Sequence, residues 1–556
     1  MSARPLSESL ALGRELLCTG KLAEAERVYE ALVQSAPDHG EARYGRGVVA
    51  LRSCQFERAV TELALAATAA PRVAAAQRWL GEALLALGKP SPAVAALRRA
   101  LALGGPSGDA QFFLAVALSA LGDTADAERA LRAARTLDER LVSALCGRTR
   151  EMRAGGAIEL ARTVAEHLIR AWPDDSSAWI ELGFVHLASN GFDEAERCFA
   201  RAHELGPDSA DARIALGHLC WSRCRAQEAV EWHERALAAA QAHSPAAARA
   251  RFHLAIAWLG LGRLRDGFAA FEARKELPGY RAARIDVPEW DGGALEGRTI
   301  LLYAEQGLGD TLQLVRYAPL VAARGARVVL GVPRALATLL ERAPGVERVA
   351  VSHEDAVRAG VDVQASLMSL PYLFAHDVDT LPRATPYLAA DASRVDVWRR
   401  RLGDSVQLRV GIVWAGSAGN ANDAQRSCAL EHFTRLARVP GVQLVSLQKD
   451  RREPWPAGFA ALDAARELSD FADTAGLVAN LDLVVSVDTA ACHLAGALAR
   501  PVWTLVPFCP DWRWMLGRDD SPWYPTMRLF RQPAPGDWSS VFEHVERELA
   551  TLAAGR

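Results

Sequence analysis

Alanines recur every 34 residues through the first half of the chain, at Ala25, Ala59, Ala93, Ala127, Ala161, Ala195 and Ala229. Glycines precede several of these alanines by twelve residues, and prolines follow several of them by twelve. A period of this length is typical of a helix–turn–helix unit that buries its apolar face only by stacking on its neighbours. We therefore predict seven stacked helical pairs, and an eighth, longer unit over about 246–280.

The clearest unit carries Trp179, Gly183, Ala195, Phe199 and Pro207. Small residues let two helices approach closely, aromatic residues fill the seam between units, and proline ends the second helix. These packing positions resemble those of the tetratricopeptide repeat. The resemblance implies that residues 1–280 form an all-α superhelix whose groove binds a protein or peptide partner. The alternative is a scaffold that only supports the second half of the chain.

A groove in these repeats cannot grip a peptide backbone with a ladder of asparagines. Residues 1–275 contain a single asparagine, Asn190. Whatever binds there must be held by other side chains.

The period changes after residues 281–297, which are rich in proline, glycine and charge and are predicted to be a linker. Short apolar runs then alternate with helical patterns in 298–390, and again in 391–556. We predict two Rossmann-like halves with a cleft between them, the first of which is short. In the first half, a helix is predicted to run from the loop at Gly307 through Val321.

The strongest candidate site follows an apolar run, Leu483–Val487, that predicts a buried parallel strand. Asp488 and Thr489 come directly after it, and a helix is predicted from Ala490, with His493 in its first turn. Open α/β sheets bind ligands at the carboxyl ends of their strands, and a helix N-terminus attracts phosphate. This stretch therefore predicts a site for a phosphate-bearing ligand.

The composition limits the binding partners and the cellular compartment that we expect. The net charge is −3 with a pI of about 6.5, which gives no reason to expect nucleic acid. The nine cysteines lack zinc spacing, so no metal site is expected. An apolar leader and a membrane-length uncharged run are both missing from the sequence, so we expect a cytoplasmic protein without a membrane span.

Three motifs resemble the lipopolysaccharide heptosyltransferase-like glycosyltransferases, in this order: Gly307–Leu312, Gly411–Ser417 and Ser486–Leu494. The resemblance implies a GT-B fold and a nucleotide-diphosphate sugar as donor, with the acceptor on the 298–390 side and the donor on the 391–556 side. It also implies inversion of the sugar anomer without a metal or other cofactor. Tetratricopeptide repeats ahead of such a module are similar in layout to protein O-GlcNAc transferases.

An inverting transfer needs a base for the acceptor proton and positive potential for the departing diphosphate. Asp310 is the candidate base, and Gly307 and Gly309 would allow a close backbone approach. Donor contacts are predicted at Ser417, Arg426, Ser427, Gln448, Lys449, Asp488, Thr489, Ala490 and His493. Further candidates are Arg513 for phosphate, and Trp503, Trp512, Trp514 and Trp523 for stacking.

Several of these residues could instead have a purely structural role. Asp310 is a favoured helix N-cap type, Asp488 and Thr489 could form a capping pair, and His493 could be a core histidine. The family often has a lysine after the second motif, where this chain offers Arg426 instead. The alternative function is therefore a non-catalytic assembly protein whose second half is a degenerate platform.

Overall fold

The computed structural model describes residues 5–70, 72–138, 140–277, 280, 285–417, 422–449 and 454–555. The chain divides into two compact units, Met1–Leu219 and Cys220–Arg556. The domain boundaries predicted at residues 280, 297 and 390 stay predictions.

The first unit is all-helical, and the predicted stacked pairs are confirmed. Its helices within the described residues are α1 (Leu6–Cys18), α2 (Leu22–Ser35), α3 (Gly40–Arg52), α4 (Phe56–Ala69), α5 (Ala74–Ala86), α6 (Pro90–Gly104), α7 (Gly108–Ala120), α8 (Thr124–Leu137), α9 (Leu141–Ala154), α10 (Ile158–Ala171), α11 (Ser176–Ala188), α12 (Phe192–Leu205) and α13 (Ala210–Ser222), the last of which continues into the second unit.

The repeated small residues are where helices touch. Ala161 and Ala195 are fully buried. A Cβ added to Gly183 would lie 2.3 Å from the Phe199 ring, closer than atoms can approach. The glycine on the first helix of this pair therefore makes room for the aromatic residue on the second.

The second unit begins with repeat helices α14 (Ala226–Ala239), α15 (Pro245–Gly260) and α16 (Leu264–Phe271). A parallel sheet follows, of order β3-β2-β1-β4. Its elements are β1 (Thr299–Tyr303), α17 (Leu308–Leu314), α18 (Ala318–Ala322), β2 (Arg327–Gly331), α19 (Arg334–Leu340), β3 (Arg348–Ala350), α20 (His353–Arg358), β4 (Val363–Ser366) and α21 (Leu370–Leu373).

A second parallel sheet has the order β10-β9-β8-β5-β6-β7. Its elements are α22 (Ala392–Leu402), β5 (Leu408–Val413), α23 (Asp423–Arg426), β6 (Val442–Ser446), β7 (Ala461–Asp463), α24 (Phe471–Val478), β8 (Leu483–Val487), α25 (Ala490–Ala497), β9 (Val502–Val506), β10 (Met527–Arg531) and α26 (Trp538–Ala554). The predicted strand Leu483–Val487 is β8, and all five of its residues are buried.

The helix predicted from Gly307 through Val321 is interrupted. Helix α17 ends at Leu314, a 3-10 turn covers Val315–Tyr317, and α18 begins at Ala318. Pro319, in the first turn of α18, has no N–H to continue the α-helical ladder. The break lets Arg316 bury its guanidinium, which donates to Trp523 O (2.7 Å).

Helices α15 and α16 belong to the same hydrophobic core as the sheets. The Phe268 ring lies edge-on to Trp512, at 5.4 Å between centroids, and 6.4 Å from Trp523. Just beyond α16, Arg274 donates from Nε and Nη2 to the two carboxylate oxygens of Glu305, at 2.7 and 2.8 Å. The last repeat helices are thus part of the α/β core.

We predict that Phe268→Ala destabilises the sheets of the second unit by about 3–5 kcal/mol, because it removes a buried ring from their shared core. The measurement is urea unfolding read by hydrogen exchange in β5 and β8. Phe199→Ala is the matched control, since this ring is equally buried but lies in the first unit. Unchanged protection of the strands in Phe268→Ala would contradict the shared core.

Candidate functional site

The loop after β1 meets the start of helix α25, at the carboxyl ends of strands from the two sheets. A Cβ added to Gly309 would lie 2.7 Å from His493 Cδ2 and 3.5 Å from Ala490 Cα. The first and third sequence motifs, predicted to share a site, are therefore in contact. The missing side chain of Gly309 is what permits this approach.

Asp310 is the third residue of α17, and Gly307 is the N-cap, so Asp310 is not itself the N-cap that the structural alternative proposed. Its Oδ2 nevertheless accepts the N–H of Gly307 at 2.7 Å, which ties the side chain to the start of the helix. Its Oδ1 lies 2.6 Å from Arg513 Nη2. Burial raises the pKa of Asp310, and the Arg513 guanidinium opposes that rise. The side chain is 20% exposed.

Arg513 is the cation that contacts most of the side chains of this site. The sequence indicated it only as a further candidate for binding phosphate. Its Nε donates to Gln313 Oε1 (2.8 Å), its Nη1 donates to Asp511 Oδ1 (2.8 Å), and its guanidinium lies 4.1 Å from the Trp512 ring centroid. Among the described residues, Gln313 Nε2 is buried without a hydrogen-bond partner. Gln313 and Asp511 were missed from sequence; Asp511 and Arg513 follow β9, another strand with its carboxyl end here.

Asp488 and His493 lie side by side, with Asp488 Oδ1 4.0 Å from His493 Nε2. Burial, reinforced by Asp511, raises the pKa of Asp488 from 3.8 to about 6, against the effect of nearby arginines. Burial, with Arg513 adding to it, lowers the pKa of His493 well below its usual range, so the imidazole is neutral. Its Nδ1 is 2.9 Å from the Tyr524 hydroxyl.

Thr489 precedes α25 without capping it. Its hydroxyl lies 3.0 Å from Ser486 Oγ, and within the described structure its side chain makes no cap bond to the helix. The backbone carbonyl of Thr489 accepts a hydrogen bond from the thiol of Cys492. The capping alternative for Thr489 is therefore not realised, and the first amides of α25 remain available to an anion.

Several predicted donor contacts bond mainly to the protein itself. Gln448 Oε1 accepts the N–H groups of Trp414 (3.0 Å) and Ala415 (2.9 Å), and its Nε2 donates to Ala415 O. Lys449 Nζ donates to Leu468 O (2.8 Å) and Ser469 O (3.1 Å). Both side chains fix the loops beside the site.

The loop after β5 is organised around Asp423. Ser427 Oγ accepts the N–H of Gly416 (3.0 Å) and donates to Asp423 Oδ1 (2.9 Å), and Arg426 Nε lies 3.5 Å from the same oxygen. A Cβ at Gly416 would lie 2.4 Å from Arg426 Nη2, so the glycine leaves room for the guanidinium. Ser417 ends this described segment, and residues 418–421 lie outside the described residues.

The chemistry of the surroundings suits an anion better than a metal ion. Donor atoms of Asp488, Cys492 and His493 lie within 4.8 Å of one another. However, Arg513 and Arg426 both stand close enough to alter the pKa of Asp488. A divalent cation would meet that positive charge, and the first turn of α25 adds to it.

A separate recess of about 640 Å³ lies at the other end of the first sheet. It is lined by Trp290, Arg298 and Asp362, among others. Arg298 immediately precedes β1, and Asp362 precedes β4. The recess is thus at the amino ends of parallel strands, away from the edge where such sheets bind ligands.

Comparison with known proteins agrees with the repeat pattern. Models described as tetratricopeptide repeat match residues 10–74, 80–140 and 174–242. The N-terminal helices are tetratricopeptide repeats. Repeats of this kind indicate interaction with a protein or peptide.

The chain is also similar to Protein FlbA of Caulobacter vibrioides, with 29% identity over 444 residues, 72% of this chain and 71% of that protein. Among solved structures, it is similar to a tetratricopeptide repeat protein of Parabacteroides merdae, at 13% identity over 45% of this chain and 98% of that one, with a TM-score of 0.25. A structure of YrrB, described as a TPR protein with an unusual peptide-binding site, is 17% identical over 33% of this chain and 95% of that one, with a TM-score of 0.21.

Every helix in the described part of the chain is too short or too polar to cross a membrane.

We predict that Asp488→Asn stabilises the ligand-free protein, and more so as the pH rises. A carboxyl with a raised pKa favours its protonated form when folded, so wild-type stability falls as the pH increases through about 4 to 6. The advantage of the variant should grow by about 1–2 kcal/mol between pH 5 and pH 8. Urea unfolding at the two pH values measures it, and an advantage that does not change with pH would contradict the assignment.

Proposed function

We propose that the second unit is a glycosyltransferase of GT-B type, which moves a sugar from a nucleotide-diphosphate sugar to a protein acceptor recruited by the repeats. The observation that carries the proposal is the pairing of Asp310 with Arg513 beside Asp488 and the start of α25. Two parallel sheets contribute these groups at the carboxyl ends of their strands. This combines a carboxylate with positive potential, which an inverting transfer requires.

The diphosphate of the donor fits at the start of α25. The amides of its first turn and the helix dipole favour negative charge, and Arg426 would add a two-point grip on phosphate. Asp488, with its pKa raised to about 6, can hold a proton and donate it to a sugar or phosphate oxygen. Neutral His493 would donate from a ring nitrogen in the same way.

Asp310 would take the proton of the acceptor hydroxyl as its oxygen attacks the anomeric carbon. The bond from that carbon to the phosphate oxygen breaks, and its electron pair leaves with the diphosphate, where positive charge stabilises it. Attack from the face opposite the leaving group inverts the anomer. A base works best with a pKa near the working pH, and burial moves Asp310 in that direction.

The second candidate is an assembly protein that binds partners without catalysis. One observation favours it: the two oxygens of Asp310 are already engaged, by Gly307 and Arg513. In that case the ion pair would serve to hold the two lobes together. The repeats would then carry the function alone.

Asp310→Asn separates these functions. We expect it to abolish sugar transfer, because an amide cannot accept the acceptor proton, while donor affinity changes little. The measurements are transfer from a sugar nucleotide to protein in a cell extract and donor binding by calorimetry. Turnover equal to that of the wild type would rule out Asp310 as the base.

Thermal stability with a panel of nucleoside diphosphates and their sugars tests the donor site. A ligand at 100 times its dissociation constant should stabilise by about 2.7 kcal/mol, and Asp488→Ala should reduce that shift. Asp482→Ala is the matched control, because Asp482 lies just before the opposite end of the same strand, where it accepts the N–H of Arg409. Absence of a shift with every nucleotide would favour the assembly protein.

A further inference from the structure

Two tyrosine hydroxyls connect a buried arginine to His493. Arg316 Nη2 lies 2.9 Å from the hydroxyl of Tyr387. That hydroxyl lies 2.9 Å from Leu312 O and 3.5 Å from the hydroxyl of Tyr524. The Tyr524 hydroxyl in turn lies 2.9 Å from His493 Nδ1. The positions of the protons in this network decide which nitrogen of His493 can donate to a ligand.

The single hydroxyl proton of Tyr387 is used at Leu312. A backbone carbonyl can only accept a hydrogen bond, and a guanidinium can only donate one. The Tyr387 hydroxyl therefore donates to Leu312 O and accepts from Arg316. Because it has no second proton, Tyr387 cannot also donate to Tyr524.

The proton of Tyr524 has one well-placed acceptor among the described residues, His493 Nδ1. The distance of 3.5 Å to Tyr387 is longer than the roughly 2.5–3.0 Å usual between two hydrogen-bonded oxygens. Tyr524 is fully buried, and a buried hydroxyl whose proton lacks an acceptor is unfavourable. The Arg316 guanidinium, 4.7 Å from the Tyr524 ring centroid, makes this hydroxyl a stronger donor. Tyr524 thus donates to His493.

A neutral histidine that accepts at Nδ1 carries its proton on Nε2. His493 is neutral because burial, with Arg513 and Arg316 adding to it, lowers its pKa well below the usual range. Its Nε2 lies 4.0 Å from Asp488 Oδ1, beyond direct hydrogen-bond distance. A Cβ added to Gly309 would lie 3.3 Å from the same nitrogen. The Nε2–H is therefore inside the candidate site, between Asp488 and the loop after β1.

Packing holds both rings in the orientation that this contact needs. The Trp514 ring stacks on the imidazole of His493, with the centroids 5.3 Å apart, and the Tyr524 ring lies edge-on to it at 5.7 Å. A Cβ added to Gly496, on the same helix as His493, would clash with the Tyr524 ring. The glycine therefore makes room for Tyr524, and the packing and the hydrogen bond together direct Nδ1 to Tyr524 and Nε2 to the site.

We propose that Tyr524 is a positioning residue of the candidate site. Its hydroxyl keeps the proton of His493 on Nε2, from which the imidazole donates to an oxygen of the donor diphosphate. A ligand must therefore offer an acceptor atom at this point, and a group that can only donate, such as an ammonium, is disfavoured. The identity of the ligand rests on the proposed function, whereas the tautomer of His493 is a property of the protein alone.

Nitrogen NMR of the full-length protein with isotope-labelled histidine tests the tautomer without any ligand. The signals that His493→Gln removes identify this residue. Near neutral pH we expect a protonated Nε2 and an unprotonated, hydrogen-bonded Nδ1. In Tyr524→Phe the Nδ1 signal should shift to that of a nitrogen without a hydrogen bond. A proton on Nδ1 in the wild type, or an Nδ1 signal that Tyr524→Phe leaves unchanged, would overturn the proposal.

Tyr387→Phe is the matched control, because it removes a hydroxyl from the same network and leaves Tyr524 in place. The proton of His493 should stay on Nε2 in this variant, and the signals of the other histidines report whether each variant keeps its fold. If Tyr524 donated to Tyr387 instead, the wild type would carry the proton on Nδ1, and Tyr387→Phe would move it to Nε2. That result would contradict the proposed direction of the hydrogen bond.

Calorimetry with pyrophosphate and with nucleoside diphosphates tests what Nε2 binds. Tyr524→Phe should weaken the binding of these anions by about 3- to 10-fold, because the proton is no longer held on Nε2, and Tyr387→Phe should weaken it less. Equal affinity of the wild type and Tyr524→Phe would overturn the role in binding. If none of the anions binds the wild type, the proposed donor and this ligand for Nε2 are both wrong, whereas the nitrogen spectra still decide the tautomer.

Discussion

The guanidinium of Arg513 is the charge on which the candidate site depends. Its side chain is only 6% exposed, and a cation so far from water persists only with carboxylates and acceptors around it. Asp310 follows the first strand of one sheet, whereas Asp511 follows a strand of the other. One buried cation therefore fixes two loops that belong to different sheets. Removing it would leave Asp310 buried without its cation, a loss that typically costs about 3–5 kcal/mol.

A second buried ion pair ties the repeats to the same framework. Arg274, 4% exposed, meets Glu305 just beyond β1, and Ser366 donates to the same carboxylate at 2.6 Å. Burial opposes ionisation, but the hydrogen bonds from Arg274 hold the pKa of Glu305 below its usual range. Glu305 lies five residues before Asp310, so the last repeat helices and the loop of the proposed base share one anchor. A change in those helices would reach the base through this anchor.

Periodic features could be predicted from the sequence, and contacts between distant segments could not. The alanine spacing gave the helical pairs because each repeat packs through the same positions, and an apolar β-branched run gave β8. The break after Leu314 has a local signal, Pro319, which the prediction of one continuous helix overlooked. The burial of Arg316 against Trp523, which lies 207 residues away in sequence, has no such signal.

The residues of the candidate site also divide into those whose position could be predicted from the sequence and those whose contacts could not. Gly309 and His493 each follow the carboxyl end of a strand, as the sequence indicated, but the strands belong to different sheets, and only the structure shows that the two residues are in contact. Gln448 and Lys449 also follow a strand, yet their polar atoms bond to nearby backbone, and the order of residues cannot distinguish a ligand contact from a loop anchor. Arg513 follows a strand too, but its importance comes from Gln313 and Asp310, about 200 residues away.

The ion pairs of the two units differ in how far their side chains are exposed to solvent. The cations Arg274 and Arg513 are 4% and 6% exposed and each bonds several partners, so exchanging one partner leaves others uncompensated. In the first unit, Arg52 and Glu151 form an ion pair whose side chains are 20% and 33% exposed, and a broken pair of this kind is hydrated again at little cost. Helix α9, which carries Glu151, is held chiefly by buried residues such as Leu145 and Met152 in the core of the repeats. The charges of the second unit thus fix the geometry of loops, whereas apolar packing fixes the helices of the first.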